Sequence, residues 1–142
     1  MSAEHNKELA RRLLEEGFGK GNLGVLDEIM TPDAVDHTPF PGVASGREGY
    51  KQTISMIRSG FPDMKMKVEE MICEGDRVMA RWTSTGTHRG EFMGVPASGK
   101  PINIGGLSEL IISDGKIAGD WTQYDAIGMM TQIGAMPEGA MA

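Results

Sequence analysis

The hydrophobic pattern of this chain changes period once, near residue 63, and that change confines what it can fold into. Before it, apolar residues recur at helical spacing. Leu9, Leu13, Leu14 and Phe18 form one stripe over residues 3–19, and Leu23, Leu26, Ile29 and Met30 a second over 22–30. Tyr50, Ile54, Ile57 and Phe61 form a third over 46–60. Ser2 is placed to cap the first helix, Asn22 the second, and Ser45 with Glu48 reads as a capping box for the third. Residues 33–44, DAVDHTPFPGVA, read as a Pro-rich loop.

After residue 63 the period is two. Met64, Met66 and Val68 alternate with lysines. Val78, Ala80 and Trp82 share one face, with Arg81, Thr83 and Thr85 on the other. Glu74-Gly75-Asp76 and Asp114-Gly115 are hairpin turns, 101–112 and 116–125 are strands, and 89–100 is a Gly/Pro loop. A helical turn over 126–133 closes the chain, with the tail 135–142 expected to fray. Three helices followed by four antiparallel strands predict a single α+β domain over residues 1–142, with the helices on one face of the sheet. A curved sheet half-wrapped around helices leaves a conical hollow suited to a small molecule.

Composition removes several classes of function. With 14 basic and 20 acidic residues the net charge is −6, which lacks the basic footprint that nucleic acid requires. One cysteine, Cys73, forms neither an internal disulfide nor a thiolate metal cluster, and reads as a buried inert thiol. His5, His37 and His88 have no metal-ligand spacing, so no metal is expected. The first residues are charged throughout and no long apolar run exists, so neither a signal peptide nor a membrane span is expected; the default location is cytoplasmic. Gly105-Gly106 lies in a strand pattern without a phosphate-loop context and suggests a bend or bulge. The 12 methionines are spread along the chain, as gap-filling core residues would be.

Several strings, taken in order, carry a resemblance. They are Asp36-His37, Gly46-Arg47-Glu48, Phe61-Pro62-Asp63, Glu74 to Val78, Ala80-Arg81-Trp82 and Thr85 to Gly90. Phe92 to Pro96 with Gly99-Lys100, Asp114 to Ile117, Trp121, Asp125 and Gln132-Ile133-Gly134 complete the set. Together they resemble the SnoaL-like polyketide cyclase, or ester cyclase, family of the nuclear-transport-factor-2-like, ketosteroid-isomerase-like superfamily. The resemblance implies a cone-shaped curved antiparallel sheet against three N-terminal helices, a homodimer or homotetramer built on the sheet, and no cofactor. It also implies an aspartate near the end of the last strand as acid/base for an intramolecular aldol step, a position matched to Asp125. A histidine of other cyclases falls near Ser108 here.

By alternation Asp125 shares a face with Trp121 and Gln123. If that face looks inward, desolvation raises the carboxyl's pKa and fits it to move a proton beside a carbonyl. If it does not, Asp125 caps the closing helix. His37, in the loop after helix two, and His88, at a strand end, are the remaining acid/base residues; each could instead simply hold its loop. Trp82, Trp121, Tyr50, Phe40, Phe61, Met66, Phe92 and Gln123 are expected to line the pocket for a small hydrophobic carbonyl compound, with 89–100 as a lid or a solvated connection. Glu109 is read on the outer sheet surface, within reach of Arg81. The alternatives to cyclisation or isomerisation are a non-catalytic ligand-binding or dimerisation module and epoxide-hydrolase-like hydrolysis.

Overall fold

A computed structural model describes residues 2–135 of the 142. The fraying expected for 135–142 therefore lies, beyond Ala135, outside the described residues. Helix α1 spans Ala3–Arg11, and the Ser2 side chain accepts the His5 N–H at 3.1 Å as its cap. It continues as a π-helix over Arg12–Phe18. Helices α2 (Gly24–Ile29) and α3 (Gly46–Gly60) follow. Two expected caps do not form. The residue at the N-cap of α2 is Leu23, not Asn22, and Ser45 stands at the N-cap of α3 but its side chain makes no capping bond; the Glu48 carboxylate pairs with Lys51 at 3.5 Å.

The strands are β1 (Met30–Asp36), β2 (Lys65–Glu74), β3 (Arg77–Thr87), β4 (Pro101–Ser113) and β5 (Lys116–Tyr124), and α4 (Ala126–Gln132) closes the fold. They form one sheet in the order β1-β5-β4-β3-β2. The α+β class holds, with one correction. The first residues of the expected loop 33–44 belong to β1, which pairs in parallel with β5, so the sheet is mixed rather than antiparallel throughout. Pro32 fits there because β1 is an edge strand, where a missing N–H costs no ladder bond. The Asp114-Gly115 turn has both φ angles positive, as a two-residue hairpin loop demands.

Two strands carry an extra residue. In β5 Ile117 faces Ile112 and Gly119 faces Ile111, so Ala118 is unmatched and bulges. In β2 the same happens at Glu69, between the pairs Val68–Trp82 and Glu70–Arg81. A bulge reverses the inward and outward parity of everything beyond it. In β5 this sets Asp120, Thr122 and Tyr124 toward the helices and turns Trp121 and Gln123 to the outside.

The helices pack on the concave side over two joined apolar clusters. The larger holds Leu13, Leu26, Ile54, Val78, Trp82 and Leu110, among others. The smaller, toward α4, holds Phe61, Met64, Phe92, Ile102, Met129 and Ile133. Between them remains a cavity of about 110 Å³.

Candidate active site

The cavity is apolar over most of its wall, and its two acidic groups lie at one place, the seam where β1 meets β5. Apolar lining comes from the π-helical turn (Leu13, Leu14, Phe18), from α3 (Ile57) and from β2 to β4 (Met66, Trp82, Ile104). One part of the wall is aromatic, made by Phe61, Phe92 and Phe40: Phe92 meets Phe61 edge-on at 5.3 Å and Phe40 at 6.1 Å.

Register explains the seam. Asp36 is the parallel partner of Asp120, His37 N–H donates to the Asp120 carbonyl at 2.9 Å, and Thr122 N–H donates to the Thr38 hydroxyl at 3.0 Å. Successive residues on each strand therefore alternate across the sheet. Asp36 with Asp120, and Thr38 with Thr122, line the cavity. His37 and Trp121 lie between them on the opposite face, their rings stacked at 4.5 Å and 2°.

Asp120 is 7% exposed, and a chain of donors ends on it. The Trp82 indole Nε1–H donates to Ser108 Oγ at 3.0 Å. Since an indole N–H only donates, Ser108 spends its proton on Thr122 Oγ1, 2.8 Å away. Thr122 Oγ1–H then donates to Asp120 Oδ2 at 2.5 Å. From the other side the Tyr50 hydroxyl, carried by α3, donates to Asp120 Oδ1. Gly106 is what lets Trp82 start the chain: the two are register partners, and a Cβ on Gly106 would overlap the indole. The paired glycines, expected to mark a bend, thus include a seat for a tryptophan.

Two effects compete at Asp120. Burial raises its pKa above the ordinary carboxylate value, while the Thr122 and Tyr50 hydroxyls pull it down, and burial wins. Asp36 is raised as well, again by burial, against the Thr38 N–H that donates to its Oδ1 at 3.0 Å. The Tyr50 phenol is pushed up by burial and by the negative charge beside it, so it stays protonated and donates. The arrangement is a carboxylate whose proton affinity has been raised by an apolar cavity and whose orientation is held by two hydroxyls. That combination suits transfer of a proton to and from carbon beside a carbonyl.

The residues expected from sequence divide accordingly. Trp82, Tyr50, Phe40, Phe61, Met66 and Phe92 line the cavity. Trp121 and Gln123 do not; the bulge at Ala118 has turned them outward, where both are exposed. Asp125 is one residue past the strand and exposed: it caps α4, its Oδ1 accepting the Gly128 N–H at 2.8 Å. His37 is exposed on the outer face. His88 is fully buried and packs on Phe61 with ring centres 5.4 Å apart, yet is not part of the cavity wall. Its Nδ1 accepts the Ser98 N–H at 3.2 Å, tying down the 89–100 loop. The loop in turn supplies Phe92 to the cavity wall, so it is more than a solvated connection.

Asp36, Thr38, Ser108, Asp120 and Thr122 are the cavity residues that alternation did not select. One signal for Asp120 was present: Gly119, in the interior of a strand pattern, is the residue type that accompanies a bulge. Among the described residues, no group of three or more His, Cys, Asp or Glu side chains is arranged to hold a metal ion. Nor is any described helix long and apolar enough to cross a membrane.

Residues 8–133 match the SnoaL-like polyketide cyclases. Aklanonic acid methyl ester cyclase DauD of Streptomyces sp. (strain C5) is 28% identical, over 93% of this chain and 85% of that protein. Among solved structures, TsrD from Streptomyces laurentii aligns with a TM-score of 0.87 at 29% identity, covering 96% of this chain and 99% of that one. Wild-type IdmH from Streptomyces antibioticus aligns with a TM-score of 0.78 at 35% identity, covering 91% and 98%. With the match running from α1 to the end of α4, the chain belongs to the SnoaL-like polyketide cyclase family.

Proposed function

We propose that the protein is a cofactor-independent cyclase that closes a ring in a small, hydrophobic, ester-bearing carbonyl compound by an aldol-type step, with Asp120 as the base. The observation that carries this reading is the buried carboxylate at the polar seam of a mostly apolar cavity, held by Tyr50 and Thr122. An ester substrate is suggested by the relative named an aklanonic acid methyl ester cyclase. Asp120 removes a proton from the carbon between two carbonyls, the apolar wall keeps water from the enolate, and the carbon attacks a second carbonyl of the same molecule.

The test is turnover of aklanonic acid methyl ester, followed by chromatography of the cyclised product. Asp120→Asn should lower kcat/KM by about 10²- to 10⁴-fold, the usual contribution of a positioned general base. An Asp120→Asn variant that is folded and fully active would remove Asp120 from the mechanism. Tight binding of the ester without turnover by the wild type would make the chain a binding module.

We also propose that the outer face of the sheet pairs with a second copy of the chain. Leu107, Trp121 and Met79 are 49%, 48% and 42% exposed there. Arg77 and Glu109, 3.3 Å apart on that face, offer both signs of charge to a partner related by a two-fold axis. Leu107→Asp should shift sedimentation to the monomer.

A further inference from the structure

Asp36 is a titratable group facing the cavity for which the mechanism above has no use. It is half-buried, it lines the same cavity as Asp120, and it is Asp120's direct partner across the parallel β1–β5 seam. Direct partners on neighbouring strands point to the same side of a sheet, so the two carboxyl groups share one wall. A negative charge on Asp36 pushes the Asp120 carboxyl further up, and both groups sit where burial disfavours charge.

We propose that Asp36 and Asp120 work as a carboxyl pair holding one proton between them, with Asp120 the base and Asp36 the acid that protonates the new alkoxide. This rests on the cyclase reading above and completes it, since ring closure needs a proton returned to oxygen as well as one taken from carbon.

The donor directions decide which member is the base. The Trp82–Ser108–Thr122 chain and the Tyr50 hydroxyl all terminate on Asp120 as an acceptor, which suits the ionised form. Protonating Asp120 at Oδ2 would reverse the chain and leave the Ser108 hydroxyl hydrogen without a place in it. Protonating it at Oδ1 would turn the Tyr50 hydroxyl to the Val35 carbonyl, a longer bond of 3.3 Å. Two like charges on one wall of a cavity do not both ionise readily, so the proton falls to Asp36.

The step balances. Asp120 takes H⁺ from carbon, a C–C bond forms as the C=O π pair moves to oxygen, and Asp36 delivers its proton to that oxygen. The pair ends with its one proton on Asp120, and transfer back to Asp36 resets it; product and substrate are isomers. The other ionisable groups about the pair are His37, next to Asp36 in the chain, Tyr50 from α3, and Tyr124, which lines the same cavity. A charged His37 draws both carboxyls down, whereas the two phenols stay neutral donors.

The test has one arm that needs no turnover. Carbon-13 labelled aspartate carboxyls of the whole protein are titrated by NMR. Asp120→Asn should lower the Asp36 midpoint by about one pH unit, a tenfold change in proton affinity, because Asp36 titrates against the charge on Asp120, whereas Asp36→Asn should leave the Asp120 midpoint near its wild-type position. An Asp36 midpoint unmoved by Asp120→Asn overturns the pair. Asp36→Ser repeats the measurement with an acceptor kept for the Thr38 N–H, in case the amide disturbs that turn. The second arm is the pH profile of kcat/KM on aklanonic acid methyl ester. Asp36→Asn should lose the alkaline limb and keep the acidic one; an unchanged bell overturns Asp36 as the acid. Coupled midpoints in a protein that turns over no ester would leave the proton-sharing pair standing and sink the cyclase reading instead.

Discussion

Two parts of the cavity wall are built on different principles. In the aromatic part, Phe40, Phe61 and Phe92 come from three separate segments and their side chains meet ring against ring. At the seam, Asp36, Tyr50, Ser108, Asp120 and Thr122 are placed by strand register and by a run of directional hydrogen bonds. Apolar contact is tolerant of exchange, because shape and volume are most of what it asks. A buried polar network is not, because a single unpaired group costs its full desolvation. The aromatic wall can therefore be varied to suit a ligand's bulk, while the seam sets the chemistry.

That contrast can be broken or sharpened experimentally. Phe61→Ala, at a fully buried ring, should cost about 3–5 kcal/mol of stability in urea titration, whereas Phe61→Leu should cost far less; equal losses would mean the aromatic wall is no more tolerant than the seam. The seam should show itself through pH. Asp36 and Asp120 both have folded pKa values raised above the unfolded value of about 4. The stability they contribute is complete below that value and is lost as pH rises through the folded ones, by about 1.4 kcal/mol for each pH unit between the unfolded and the folded value. Thermal melts across that window should fall with pH for the wild type and stay flatter for the Asp36→Asn, Asp120→Asn double variant. Smaller still is Asp125→Ala, outside both parts, where loss of the α4 cap should cost about 1 kcal/mol with far less loss of rate than Asp120→Asn. Least of all, Trp121→Ala on the outer face should alter folding stability by about 0.5 kcal/mol or less while weakening self-association in sedimentation.

How legible each region was in the sequence follows the same division. The aromatic wall was readable, because Phe40, Phe61 and Phe92 are large apolar residues and such residues find the interior in almost any packing. The seam was not. Counting by twos from Ile117 selects Gly119, Trp121, Gln123 and Asp125, a run with an indole and a carboxylate that reads as a site. One unmatched residue, Ala118, moves the whole selection by one. The carboxylate that enters the cavity becomes Asp120, and Asp125 becomes a helix cap. On the other side of the seam, Pro32 and the turn residues around Pro39 masked a short edge strand, so Asp36 and Thr38 read as loop.

By itself the sequence determined the class of the fold, three helices ahead of hairpin-linked strands, and the apolar character of the hollow between them. Those follow from periodicity and hydrophobicity, which are local and additive along the chain. Only the tertiary structure decided which acid enters the hollow and what it meets there. The parallel docking of β1 on β5 and the approach of Tyr50 from α3 depend on pairings across 70 or more residues, such as Tyr50 with Asp120, and strand parity depends on how β5 is paired with β4 around Ala118. No local pattern encodes them, because a strand's face is defined only against its neighbour.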